Sequence, residues 1–232
     1  MTAVVEPPVA RLAALPGVST ASRVAAQAER ARATGKVLPV VPALAELLPA
    51  AGLRRGSTVA VHGGTSLLVA LLAEATATGS WAAVVGMPSL GLAAAAEYGV
   101  DLDRVALVPR PGAELPAVVA ALLDGVDLVV VNADRVQAAV ARRLSARARH
   151  RGAVLLASGG WPGADVELSC RLSAWSGLAD GYGHLRERRV QVRVHGRGAA
   201  ARPTSATLAL PGPAGAITAA SSHLASREEA TA

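Results

Sequence analysis

The stretch TVAVHGGTSLLVALLAEA, residues 58–75, decides the fold class. It begins with a short apolar strand, Thr58–His62, which leads through two glycines into a helix predicted over Thr65–Thr76. A strand whose residues are nearly all apolar is typical of a parallel sheet, because helices cover both of its faces. The stretch therefore predicts the first strand–turn–helix unit of an α/β protein.

The same alternation of short apolar strands and helices continues along the chain. Further strands are predicted at Ala82–Gly86, Val105–Val108, Asp127–Val131 and Ala153–Ala157. Helices are predicted between them, at Leu90–Tyr98, Leu115–Leu123 and Arg135–His150. Because strands alternate with helices, the sequence predicts a doubly wound, mainly parallel sheet.

The pattern changes after Gly160, where strands follow one another without helices. They are predicted at Val166–Trp175, Arg189–His195 and Ala206–Leu210, as antiparallel strands that extend one edge of the sheet. The core domain is accordingly predicted to span residues 42–213. Residues 214–232 are small and polar, and we expect them to form a flexible tail.

The chain ahead of this core, residues 1–41, is predicted to be an N-terminal arm with one helix. The helix, Thr20–Thr34, is separated from the core by Pro39 and Pro42. Its apolar stripe is shallow, and a helix of this length is marginal in water by itself. The stripe is therefore a candidate contact for a partner helix. Its residues are Val24, Ala28 and Ala31.

Composition excludes several classes of protein. The longest apolar runs fall short of the roughly 20 residues that cross a bilayer, and no secretory leader is apparent, so we expect a cytoplasmic protein without membrane contact. Cys170 is the single cysteine, which excludes an intrachain disulfide. The five histidines lack zinc-ligand spacing, and no metal is expected. The net charge of +6 favours acidic partners.

The turn Gly63-Gly64-Thr65-Ser66 looks like the end of a phosphate-binding loop. A working loop of this class needs a lysine before the Ser or Thr, because its ammonium contacts the β and γ phosphates. Gly64 stands at the position of that lysine, and Lys36, the one lysine in the chain, lacks the surrounding motif. The loop could still hold an anion, but the favoured interpretation is structural, with Thr65 capping the helix. No nucleotide cofactor is therefore expected.

A second nucleotide-binding signature is also incomplete. Residues 126–132 (VDLVVVN) have the shape of the strand that ends in a magnesium-binding carboxylate in nucleotide hydrolases. The terminal residue here is Asn132, a neutral amide, and Asp127 lies at the opposite end of the strand. The chain has the scaffold of a nucleotide hydrolase without its charged groups.

Several stretches carry a family resemblance. Residues 47–64 (LLPAAGLRRGSTVAVHGG) resemble the entry to the RecA core, and the resemblance extends from about Pro42 to Gly212. Among RecA-like proteins the chain is most similar to the ImuA′ proteins of bacterial mutasomes. The pieces that carry this similarity are LRRGSTVAVHG (53–63), SWAAVVGMPSLGLAAAAEYGV (80–100), DGYGHLR (180–186) and HGRGAAARP (195–203).

The departures from RecA shape what the resemblance implies. Met87 stands where RecA has its catalytic glutamate, and the two DNA-binding loops are reduced to residues 133–134 and 158–163. The resemblance therefore implies a non-catalytic accessory protein of SOS-induced DNA-damage tolerance and translesion synthesis. Its expected partners are an ImuB-like inactive Y-family polymerase relative and, through it, an error-prone C-family polymerase and the sliding clamp. Recruitment to damaged DNA would place it at the nucleoid.

Two other functions remain open at this stage. A SulA-like inhibitor of cell division would also be a RecA relative without a phosphate loop, and it would bind FtsZ. A residual nucleotide-binding protein is the third possibility, disfavoured by Gly64, Met87 and Asn132. Self-association is compatible with each of them.

A few surface candidates complete the prediction. Trp161, in a Gly/Pro loop, is either a partner anchor or a plug at the edge of the core, and the plug is favoured. The arginines of residues 142–151, among them Arg142, Arg143 and Arg149, and those of residues 186–202 could follow phosphates, but a solvated basic face is the favoured interpretation. DNA binding, if present, is thus expected to be weak. His184 is predicted in a hairpin, and Cys170 is predicted to be buried.

Overall fold

The computed structural model describes residues 35–179, 182–212 and 215–220. The predicted helix Thr20–Thr34, with its candidate contacts Val24, Ala28 and Ala31, lies outside the described residues. So does most of the predicted tail, residues 214–232. In the described parts of the chain, no helix is long and apolar enough to cross a membrane.

The described chain alternates strands and helices up to residue 158 and is then built from strands. The strands are β1 (Val37–Leu38), β2 (Leu53–Arg54), β3 (Thr58–His62), β4 (Ala82–Val85), β5 (Val105–Val108), β6 (Leu128–Asn132), β7 (Val154–Ser158), β8 (Val166–Ala179), β9 (Tyr182–Gly196), β10 (Thr204–Ala209) and β11 (Thr218–Ala219). The helices are α1 (Pro42–Ala45), α2 (Thr65–Ala77), α3 (Leu92–Glu97), α4 (Leu115–Leu122) and α5 (Ala138–Arg151). Short 3-10 turns lie at Leu102–Arg104, Gly112–Glu114, Ala133–Arg135 and Gly198–Ala200.

Nine strands form one sheet in the order β11-β10-β9-β8-β3-β7-β6-β4-β5. Neighbours from β8 to β5 run parallel to one another, whereas β9, β10 and β11 are antiparallel to the strands beside them. The predicted class, an α/β protein with a mainly parallel sheet extended by antiparallel C-terminal strands, is confirmed.

The core lies on both faces of this sheet. One face packs against α1 and α2, through buried residues such as Leu44, Leu68 and Leu71. The other face packs against α4 and α5, through Val119 and Leu144. Since both faces are covered, the central strands are apolar along most of their length, as the sequence pattern predicted.

One predicted strand direction is wrong. β8 was expected to be antiparallel to the sheet, but it pairs in parallel with β3, with Val166 opposite Val59. Parallel neighbours ordinarily need a crossover of a dozen or more residues, usually a helix. Here residues 159–165 cross the sheet without a helix, and the Trp161 side chain lies in the layer formed by α4 and α5. The sequence shows no helix between β7 and β8, and for this reason β8 was wrongly predicted to be antiparallel.

The small sheet of β1 and β2 was not predicted. Val37 pairs with Arg54 and Leu38 with Leu53, and both residues of β1 are buried. Packed structure thus begins ahead of the predicted core start at residue 42. At the other end β11 pairs with β10, so it extends the sheet beyond residue 213.

Candidate functional site

The turn Gly63-Gly64-Thr65-Ser66, which the sequence analysis interprets as a vestigial phosphate loop, packs directly against the neighbouring strand. Gly63 has φ +88°, and a Cβ built on it would overlap the carbonyl oxygen of Cys170 in β8. Gly64, with φ +148°, is the N-cap of α2 and makes no side-chain cap. Thr65 is therefore the first helical residue rather than the cap, contrary to the favoured interpretation of the sequence. Gly63 and Gly64 therefore allow the loop to pack closely against β8.

Arg188 of β9 closes this loop from the other side. Its guanidinium donates hydrogen bonds to the Ser66 hydroxyl and, at 2.8 Å, to the carbonyl oxygen of Leu210. Burial raises the pKa of the Tyr98 phenol and of the Cys170 thiol, and the Arg188 charge opposes both shifts. A protein cation thus contacts the residue next to Thr65, which stands at the position whose hydroxyl holds magnesium in a working loop. Sequence reasoning missed this residue, which is remote from the loop along the chain.

The other two vestigial positions have structural partners. Asn132 Oδ1 accepts a hydrogen bond of 3.0 Å from the amide of Asp134, so this side chain caps a 3-10 turn. Met87 packs against the apolar core on the α2 face. At the opposite end of β6, Asp127 pairs with Arg55 at 2.6 Å.

These contacts lead us to expect that the protein does not bind ATP measurably. The lysine and both carboxylates are absent, and Arg188 already bonds Ser66. Calorimetric titration with ATP and magnesium should give no binding heat. The Arg188→Ala variant should also give no binding heat, because the lysine is still missing. Micromolar affinity in the unmodified protein would contradict this expectation.

Trp161 is a buried residue. Its side chain is 4% exposed and its Nε1 donates a hydrogen bond of 2.9 Å to Ser145 Oγ. The same oxygen accepts a hydrogen bond of 3.0 Å from the Thr58 hydroxyl. The indole therefore joins the loop to α5 and β3 and has no exposed surface with which to anchor a partner. Its position corresponds to the plug at the edge of the core.

The arginines of α5 differ in their partners. Arg149 lies 3.7 Å from Asp165, and a neighbour, Arg147, donates to Asp124 at 2.8 Å and lowers the pKa of that carboxyl. Arg142 and Arg143 are exposed, and within the described residues neither has an ion pair. The helix therefore offers two free guanidinium groups rather than a continuous basic surface.

β8 and β9 form a two-stranded ribbon that the sequence analysis did not predict at this length. β3 pairs with β8 only as far as Ser169, and β10 pairs with β9 only from Arg189 onward. Beyond them, among the residues that the structure describes, β8 and β9 pair only with each other. We call residues 172–179 and 182–188 the ribbon. The dipeptide Asp180-Gly181, typical of hairpin connections, was the signal in the sequence that could have revealed it.

The ribbon exposes most of the large apolar side chains that it carries. Tyr182 is 83% exposed and Trp175 is 45% exposed, in a chain with only 3 Trp, 2 Tyr and no Phe. Leu172, Leu178 and Leu185 are more than half exposed. The Arg188 guanidinium lies 5.9 Å from the centre of the Trp175 ring, so one arginine connects the ribbon to the vestigial loop. His184 lies on the ribbon, in β9.

No group of three or more His, Cys, Asp or Glu side chains in the described residues could hold a metal ion. The nearest approach to such a group joins His62 and His195, whose Nε2 atoms lie 3.7 and 3.8 Å from one oxygen of Glu167. The described chain therefore has no evident metal centre.

Comparison with known proteins yields one family and one relative. The family model described as the MT3502 N-terminal domain matches residues 46–163. A protein of Mycobacterium tuberculosis (strain ATCC 25618 / H37Rv), named "Uncharacterized protein Rv3395c", is 39% identical over 164 residues, which cover 66% of this chain and 80% of the relative. The family model ends before β8, so it does not include the ribbon.

Proposed function

The chain belongs to the MT3502 N-terminal domain family, and we propose that it is a non-catalytic, RecA-like accessory protein that acts by binding another protein. The proposed class is that of the ImuA′ proteins, which serve translesion synthesis during the SOS response. The proposed partner is an ImuB-like inactive Y-family polymerase relative. That partner would connect it to an error-prone C-family polymerase and the sliding clamp.

The observation that carries this proposal is the exposed apolar surface of the ribbon. A two-stranded hairpin is marginally stable in water, and soluble proteins rarely leave contiguous apolar patches uncovered without a binding role. Within the described residues, the distal part of the ribbon pairs with no third strand, and it carries five exposed large apolar side chains: Trp175, Tyr182 and three leucines. Trp and Tyr are also the residues in which interface energy is concentrated.

The vestigial phosphate loop supports the non-catalytic part of the proposal. Gly63 packs on the Cys170 carbonyl and Arg188 bonds Ser66, so the protein's own groups contact the loop from two sides. In this arrangement the β9 residue that holds the loop also contacts the exposed Trp175 ring. These contacts support a structural role for the loop, in which it holds the base of the ribbon in place.

The test measures binding of the full chain to the purified ImuB-like protein encoded by the same genome. We expect Trp175→Ala to weaken this complex about tenfold or more, since Trp is a frequent hot-spot residue. Trp81→Ala is the matched control, because Trp81 is 49% exposed and has its own arginine, Arg104, 5.8 Å from the ring centre. That variant should bind like the unmodified protein.

Three outcomes would change the assignment. Equal affinity of the Trp175→Ala variant and the unmodified protein would exclude the ribbon as the interface. Loss of binding on removal of residues 1–34 instead would place the contact on the N-terminal arm, with its predicted stripe Val24, Ala28 and Ala31. Capture of FtsZ in place of the polymerase relative would favour a SulA-like inhibitor of division.

A further inference from the structure

A polar groove lies on the open face of the C-terminal strands. In this part of the sheet, residues 168, 170, 190, 192 and 194 are buried against the α1 and α2 layer. The alternate residues point away from that layer, and α4 and α5 do not cover them. Side chains in register across β8, β9 and β10 therefore form rows, of which Ser169–Arg193–Ser205 is one.

The groove formed by these rows has a volume of about 710 Å³. Arg171 and Gln191 are paired in the row next to Ser169 and Arg193. The two arginines are thus diagonal neighbours on adjacent strands, a relation that places the backbones of such residues about 7–8 Å apart. Two guanidinium groups can therefore reach one extended ligand, or two neighbouring anionic groups on it.

The two arginines of the groove form no ion pairs with described acidic side chains. Within the described residues, Arg171 and Arg193 have no acidic side chain within ion-pair distance, in contrast to Arg149 and Arg197, which both approach Asp165. Glu167, the acidic residue nearest along β8, lies between His62 and His195 rather than beside either arginine. Two exposed cations thus lie among hydroxyl and amide groups.

The lining also indicates the class of ligand. It combines guanidinium, hydroxyl and amide groups: Arg171, Arg193, Ser169, Ser205, Thr204 and Gln191. These are the side chains that contact phosphate oxygens in protein–nucleic acid complexes. The apolar contribution is limited to small residues such as Ala201 and Pro203, and the aromatic ring in the lining is a single imidazole, that of His195. An acidic peptide would need pockets for its apolar side chains, and base stacking would need an aromatic platform.

We propose that this groove binds the phosphodiester backbone of a nucleic acid, without reading its sequence. Arg171 and Arg193 supply the charge, and the hydroxyl and amide groups around them supply neutral donors. The groove is distinct from the ribbon and does not depend on the proposed protein partner. It would allow one molecule to hold a nucleic acid and a protein at the same time.

The test is fluorescence anisotropy of a labelled single-stranded oligothymidine, with a duplex of mixed sequence as a second probe, over a range of salt concentrations. We expect the double variant Arg171→Ala/Arg193→Ala to bind about tenfold or more weakly at low salt. The salt dependence should also fall, by about 1.4 in the log–log slope for a single strand, because each lost phosphate contact contributes roughly 0.7. Random-sequence single strands should bind like oligothymidine.

Two control variants make the result specific. Arg142→Ala/Arg143→Ala on α5 removes the same charge from another surface and should leave affinity nearly unchanged. Glu167→Gln removes a negative charge beside the groove and should strengthen binding, a direction that unfolding cannot produce. The arginine variants of the groove should bind the proposed protein partner normally, so failure of this proposal is distinguishable from failure of the ribbon interface.

Three results would overturn the proposal. Equal weakening by the two double-arginine variants would show diffuse attraction rather than a site. Unchanged binding in the Arg171→Ala/Arg193→Ala variant would show that the groove is not used. Tighter binding of polyglutamate than of nucleic acid, lost in the same variant, would assign the groove to an acidic protein segment.

Discussion

Replacing Gly63 with alanine is expected to lower the free energy of unfolding by about 3 kcal/mol or more. Two costs add at this position. A non-glycine residue at φ +88° carries backbone strain on the order of 1–3 kcal/mol. The new methyl group would also overlap the Cys170 carbonyl oxygen, and overpacking of this kind costs about 1–3 kcal/mol. The backbone of β8 cannot yield without disturbing its pairing with β3.

Thermal denaturation of the full chain measures this effect. A loss of that size should lower the Tm by about 6–12 °C in a protein of this length. Gly125→Ala is the control, because its backbone is not in the left-handed region and the methyl group would meet no atom within 4 Å. It should be neutral or slightly stabilising. Equal stability of the two variants would show that the loop does not pack against β8.

Replacing Trp161 with alanine is expected to cost about 3–5 kcal/mol of stability, as large-to-small changes of a buried aromatic residue do. The side chain is 4% exposed, and its removal leaves a cavity between the sheet and α5. Ser145 would lose the indole donor but keep the hydrogen bond from Thr58. The expected loss therefore arises mainly from the cavity.

Variants of two tryptophans, Trp161 and Trp81, distinguish a structural role from partner binding in the same set of measurements. Trp161→Ala should lower the Tm strongly, whereas Trp81→Ala should change it little because half of that side chain is already exposed. Trp161→Phe should retain most of the stability, since it fills most of the cavity, and should bind the protein partner normally. If the Trp161→Ala protein were as stable as the unmodified one, Trp161 would not be a structural plug of the core. If the stable Trp161→Phe variant lost partner binding, Trp161 would instead be a contact for the partner.

Much of the fold was predictable because it depends on local patterns. β3 and β5 were predicted to the residue, and α2 was predicted to within a residue, since apolar runs end at glycines and polar residues. β8 was assigned the wrong direction, because strand direction depends on where a connection crosses the sheet. A loop plugged by one tryptophan replaces the helix that such a crossover normally requires.

The candidate sites also combine features that the local sequence determines with features that depend on the tertiary structure. That Gly64 and Asn132 replace a lysine and a carboxylate is a matter of residue identity, and the sequence alone determined it. That Arg188 bonds Ser66, or that Arg171 and Arg193 share an open face, depends on the register of strands far apart along the chain. The local sequence determined which chemistry is missing. Only the tertiary structure decided which surfaces remain available for binding, because exposure depends on which helices and strands happen to cover each face.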